Sequence, residues 1–109
     1  PLEHLSSPGT GSIVSMLERS SGKKAEIVGK PSPFLLNKLL LEHSLSAKGA
    51  AFIGDRLETD VAMANKAGIY SILVMTGATS LIDAKKAKGV RKPKAILESA
   101  ASLPEFLGL

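Results

Sequence analysis

The sequence predicts an α/β fold, a parallel sheet with helices on its faces, and three observations lead there. Short apolar runs at Ala25–Val28, Ala50–Ile53, Ile69–Met75 and Ala95–Leu97 alternate with segments whose apolar residues recur at helical spacing. Glycine or proline punctuates most of the junctions between them. The chain is 44% hydrophobic but only 4% aromatic, so its core is aliphatic, as suits buried parallel strands. At 109 residues it makes one small domain. Right-handed crossovers between successive strands keep the sheet parallel.

Taken in order, Pro1 to Thr10 reads as an irregular lead-in. Ser12 is placed to cap a helix running to about Ser20, with Ile13, Met16 and Leu17 on one face and Gly22 as its stop. The strand Ala25-Glu26-Ile27-Val28 follows, and Gly29-Lys30-Pro31-Ser32-Pro33 breaks it. Ser32 caps the next helix and Pro33 suits its first turn. That helix, Pro33 to about His43, carries Phe34, Leu35, Leu36, Leu39, Leu40 and Leu41 over more than half its girth, which predicts deep burial. The strand Ala50–Ile53 runs into Gly54-Asp55, and a helix over Glu58–Lys66 stops at Gly68. Ile69–Met75 is a strand closed by Thr76-Gly77. Leu81–Lys88 reads as a helix closed by Gly89, Ala95–Leu97 as a last strand, and Leu103–Leu107 as a final helical turn.

Cysteine is absent, which removes disulfides, thiolate metal sites and cysteine nucleophiles and agrees with a cytoplasmic setting. No apolar run approaches the roughly 20 residues that span a bilayer, and no secretory signal is visible, so no membrane partner is expected. The first residue is Pro1 rather than Met, so a fragment or processed form is expected. Lys and Arg number 14 against 10 Asp and Glu, a net charge of +4. Lys85, Lys86, Lys88, Arg91, Lys92 and Lys94 concentrate that charge late in the chain. They come without stacking aromatics or a recognition motif, so no nucleic-acid partner is expected.

In a parallel sheet, binding groups collect beyond the carboxyl ends of the strands. Lys30, Asp55 and Thr76 each follow a predicted strand directly, which places all three on one edge. Gly54 has no side chain to obstruct a ligand, and Asp60 lies five residues after Asp55, near the start of a helix. One tight loop brings both carboxylates to a point, where waters and a phosphate oxygen would complete a Mg²⁺ site. The same spacing also suits an Asp55 that caps a turn and an Asp60 that favours a helix N-terminus. Lys30, held between Gly29 and Pro31, is placed to neutralise a phosphate or a nearby carboxylate, or sits exposed as most lysines do. Pro8-Gly9-Thr10-Gly11-Ser12 is similar to a phosphate-cradling loop but lacks the P-loop spacing, and a turn with a helix cap also explains it. His4 and His43 have no serine or acid partner for a hydrolase triad.

Two blocks in order, Gly29-Lys30-Pro31-Ser32-Pro33-Phe34 and Ile53-Gly54-Asp55-Arg56-Leu57-Glu58-Thr59-Asp60, closely resemble the haloacid dehalogenase superfamily, in its phosphoglycolate phosphatase, chronophin and 4-nitrophenylphosphatase group. Ala67-Gly68-Ile69 and Leu73 to Gly77 fit that group's next helix and strand, so the likeness covers Pro8 to about Ser80. The resemblance implies a Rossmann-like sheet and Mg²⁺-dependent hydrolysis of phosphate monoesters through an aspartyl-phosphate intermediate, on a small phosphorylated metabolite or a phosphoprotein. It implies that Lys30 is catalytic, steadying the nucleophile and binding the phosphoryl group beside Gly54. Asp55 would bind Mg²⁺ and Asp60 would support the metal directly or through water. Gly9 to Ser12 would fall where the chain returns from a cap domain, with residues 1–11 as that return and Gly9, Thr10 and Gly11 as further phosphate-binding candidates.

One departure sets the limit of the likeness. The family's reaction starts at an Asp-x-Asp segment, and the aspartates here, Asp55, Asp60 and Asp83, form none. The family's Ser/Thr phosphoryl site and its cap have no counterpart either. Residues 1–109 are therefore expected to be the C-terminal portion of such a core, an incomplete one lacking the nucleophile strand and cap. Alone, the chain is expected to be inactive and to self-associate through an exposed sheet edge. The alternatives are a non-catalytic α/β interaction module or a degenerate relative, and, more remotely, a receiver-like signalling domain.

Overall fold

The computed structural model describes residues 9–109. Three strands, β1 (Ala51–Gly54), β2 (Tyr70–Val74) and β3 (Ala95–Leu97), form one parallel sheet in that order. Ala51 registers with Tyr70 and Gly54 with Leu73, while Ile72 registers with Ala95 and Val74 with Leu97. Successive strand residues point to opposite faces, and Ile72 and Leu73 are both buried, so the central strand is covered on both sides. One apolar cluster joins Leu36, Met63, Ala64 and Ile69, and a second joins Leu57, Val61, Leu73 and Ala84.

The helices α1 (Thr10–Ser21) and α2 (Phe34–Glu42) precede the sheet; α3 (Ala62–Lys66) links β1 to β2, α4 (Leu81–Lys86) lies between β2 and β3, and α5 (Leu103–Phe106) follows. A wide turn over Leu57–Val61 leads into α3, with the Val61 N–H reaching the Arg56 carbonyl five residues back at 3.1 Å. Such π-type turns recur at functional positions because they re-aim side chains. Asn65 ties three pieces together. Its amide nitrogen donates to the carbonyls of Val90 (2.7 Å) and Lys92 (2.9 Å), and its oxygen accepts from Ser71 Oγ at 2.8 Å. No helix among the described residues is long and apolar enough to cross a membrane.

Several expectations change. Ala25–Val28 is not a strand: Ile27 is 67% exposed, and the Ala25 N–H goes to Glu18 Oε1 at 2.8 Å, fastening the segment to α1 instead of to a neighbouring strand. Helix α1 starts at Thr10, two residues before Ser12, with Gly9 as its N-cap and no side-chain cap. It stops as expected at Gly22, whose φ of 69° is left-handed and whose N–H bonds the Glu18 carbonyl. Ser32 does accept the Phe34 N–H at 3.3 Å, but α2 is not deeply buried. Only Leu36 is, while Phe34, Leu35, Leu39 and Leu41 stay exposed because the described layers cover one side of the helix. Helix α4 ends at Lys86, since Ala87 is extended, and Gly89 opens a short 3-10 turn to Arg91 instead of closing the helix. The lead-in reading of residues 1–8 lies outside the described residues.

Candidate functional site

The site is built on the carboxyl end of β1. After Gly54 the chain continues through Asp55 and an extended Arg56, and then the wide turn folds Asp60 back beneath them. Asp60 is 4% exposed, yet both oxygens of its carboxylate are engaged. Oδ1 accepts from Lys30 Nζ at 2.7 Å, and Oδ2 accepts from the backbone N–H groups of Asp55 (3.3 Å) and Arg56 (3.2 Å). A buried carboxylate needs such donors, because desolvation otherwise makes its charge costly. A Cβ at Gly54 would overlap the Asp60 side chain, so the room that glycine leaves is filled by Asp60 and not by a ligand.

Asp55 is held by the loop after β2. Its Oδ2 accepts the Ala78 N–H at 2.9 Å, and Thr79 Oγ1 donates to its main-chain carbonyl at 2.6 Å. A Cβ at Gly77 would overlap Asp55. The Ala78 N–H is the main influence holding the Asp55 carboxyl below its ordinary range. Partial desolvation opposes it, and its own backbone N–H and the charges of Arg56 and Lys30 assist.

The structure thus gathers Lys30, Asp55 and Asp60, with Gly54, at one rim, although Lys30 follows no strand. Thr76 follows β2 on the same rim and is exposed. Gly9 and Gly11 stand apart: a Cβ at either would meet nothing within 4 Å, so among the described residues no cradle closes around Gly9, Thr10 and Gly11. Sequence reasoning missed the grip of Gly77, Ala78 and Thr79 on Asp55. The Thr76-Gly77 pair after a strand was its only signal, since a backbone N–H leaves no trace in residue type. Among the described residues no three His, Cys, Asp or Glu side chains converge. The oxygen donors of Asp55 and Asp60 fit Mg²⁺, which takes one or two carboxylates and completes its shell with water and phosphate oxygens.

Fold and rim together define an open parallel α/β protein whose polar groups gather beyond its strand ends. The chain belongs to the HAD-hydrolase-like family, whose profile matches residues 27–103. It is 38% identical over 105 residues to chronophin of Rattus norvegicus, covering 93% of this chain and 34% of that one. The glycerol phosphate phosphatase of Mycobacterium tuberculosis, crystallised with magnesium, superposes with a TM-score of 0.74 at 40% identity, over 88% of this chain and 29% of that one. A 4-nitrophenylphosphatase from Thermotoga maritima superposes with a TM-score of 0.76 at 36% identity, over 90% of this chain and 37% of that one. The chain spans about a third of the length of the chronophins it matches, and less of other curated relatives.

Proposed function

We propose that this chain is the C-terminal portion of the core of a Mg²⁺-dependent phosphatase and supplies the lysine-bearing and metal-bearing half of a site that hydrolyses phosphate monoesters. The observation that carries this is the 2.7 Å contact of Lys30 Nζ with Asp60, a carboxylate that also holds the Asp55 backbone at the sheet rim. A carboxylate offers about four acceptor positions. The Ala78 N–H takes one and leaves Asp55 free ones, so Asp55 is the direct metal ligand. Asp60, with both oxygens taken, supports the metal through water while holding Lys30 and the Asp55-Arg56 backbone. Lys30 has three N–H donors. One goes to Asp60, and two remain to steady a nucleophilic carboxylate and a phosphoryl oxygen. Bound Mg²⁺ supplies charge neutralisation at the transferring phosphoryl group.

The aspartyl-phosphate intermediate of this reading needs an Asp-x-Asp segment, which this sequence lacks, so the chain alone is inactive. A small phosphorylated metabolite is the proposed substrate class, with a phosphoprotein as the alternative, and the cytoplasm is the proposed compartment. Residues 1–11 are read as the return from a cap. Among the described residues strand β1 pairs on one side only, and Phe34, Leu35, Leu39 and Leu41 are exposed. These surfaces seat the remainder of the core or, in the isolated chain, a second copy. They also favour the second reading, a non-catalytic α/β module that docks on a partner.

Phosphatase assay with 4-nitrophenyl phosphate and Mg²⁺ tests both. The chain alone gives no turnover. In a whole enzyme containing it, Asp55→Asn abolishes activity and Lys30→Ala lowers kcat by about 10²–10³-fold, as loss of a transition-state charge partner does. Near-normal kcat in both variants favours the non-catalytic module. Turnover by the chain alone that disappears in Asp55→Asn overturns its inactivity.

A further inference from the structure

Because all three strands run the same way, their starts share the opposite rim, and that rim carries a cleft of about 920 Å³. It is lined from the segment before β1 (Lys48), from the start of β2 (Tyr70) and from the segment leading into β3 (Lys92, Pro93, Lys94). Three of its lining residues are lysines and none is a carboxylate. Four cations among the described residues form ion pairs: Lys24 with Glu18, Lys30 with Asp60, Lys38 with Glu42 and Arg91 with Glu58. Lys48, Lys92 and Lys94 form no ion pair among the described residues. An adjoining hollow shares Lys92 and adds Lys85, Lys86 and Lys88, again without a carboxylate. Clefts lined by one sign of charge focus their field and concentrate counter-ions.

The lysine-bearing segment is also held in place. Asn65 clamps the Val90 and Lys92 carbonyls, and the Lys94 N–H bonds both the carbonyl (2.9 Å) and the hydroxyl (3.2 Å) of the buried Ser71. Tyr70, 44% exposed, is the aromatic residue on the wall. Apolar ring, anchored backbone and unpaired cations in a hollow of small-molecule size fit one ligand chemistry. We propose that this cleft binds a nucleoside polyphosphate, with its phosphates among Lys48, Lys92 and Lys94 and its base against Tyr70. The site lies at the far rim from Asp55 and does not depend on the phosphatase reading.

Titrating the 109-residue chain with ADP at low salt in EDTA, followed by amide chemical shifts and calorimetry, tests this without metal at the Asp55 rim. One-to-one saturation is expected, with shifts at Lys48, Tyr70, Lys92 and Lys94 and none at Gly54 to Asp60. The triple variant Lys48→Gln/Lys92→Gln/Lys94→Gln weakens binding at least tenfold, whereas Lys23→Gln/Lys24→Gln, which removes charge beside Glu18, leaves it unchanged. Tyr70→Leu weakens ADP several-fold but not tripolyphosphate, as loss of a stacking partner requires. Equal losses in the two lysine variants, shifts confined to the Asp55 loop, or no saturation at millimolar ADP would overturn the site. Tripolyphosphate binding as tightly as ADP would overturn the nucleoside assignment, as would tighter binding of a short oligonucleotide.

Discussion

Removing the charge on either side of the Lys30–Asp60 pair separates a stabilising contact from an incidental one. At 2.7 Å the gross attraction is about 6 kcal/mol at an effective dielectric of 20 and about 1.5 kcal/mol in bulk water. The pair sits between these limits, because the Asp60 side chain is 5% exposed and that of Lys30 is 51% exposed. Desolvation of Asp60 offsets part of the gain, while two backbone N–H groups keep Asp60 partly satisfied when the lysine is lost. We therefore expect Lys30→Met and Asp60→Asn each to cost about 2 kcal/mol, and the double variant to cost less than their sum by 1–2 kcal/mol. Urea unfolding followed by circular dichroism reads each loss as a midpoint lowered by about 1–2 M at unchanged slope. Additivity of the two single changes within about 0.5 kcal/mol would show that the two groups do not interact, and would refute the reasoning that Asp60 positions Lys30.

Gly54→Ala forces a methyl group into the Asp60 side chain, so thermal unfolding is expected to drop by roughly 10 °C, corresponding to about 2 kcal/mol of overpacking; an unchanged Tm would count against the tight approach. The folded-state pKa of Asp55 is depressed, so its ionised form contributes stability above the unfolded value of 3.8, and that contribution fades as pH falls through the folded pKa. The stability gap between the chain and Asp55→Asn is accordingly expected to be full near pH 6 and to close on acidification, and a gap that widens would reverse the sign. Asn65→Ala removes two hydrogen bonds to carbonyls and one to Ser71. It is expected to cost about 2 kcal/mol and to speed hydrogen exchange at the Lys94 amide, which unchanged protection would contradict.

Taken alone, the sequence determined the three strands that pair, the stop of α1 at Gly22 and the place of Asp55 at the carboxyl end of β1. Each of these rests on local chemistry: apolar runs of strand length, glycine's access to positive φ, and a carboxylate set directly after a strand. What it left open depended on neighbours far along the chain. Ala25–Val28 has strand composition, but a strand exists only where another edge takes its hydrogen bonds, and here Glu18 takes one of them. The leucines of α2 carry the pattern of a buried helix, yet burial is decided by the layers laid over it, and those cover only the Leu36 side. Spacing alone could not distinguish a metal-binding pair of aspartates from two helix-start residues. Tertiary structure decided their arrangement by bringing Lys30 onto Asp60 and the Gly77–Thr79 loop onto Asp55, contacts spanning 30 and more than 20 residues. Such contacts form because buried charge demands donors wherever the fold can deliver them.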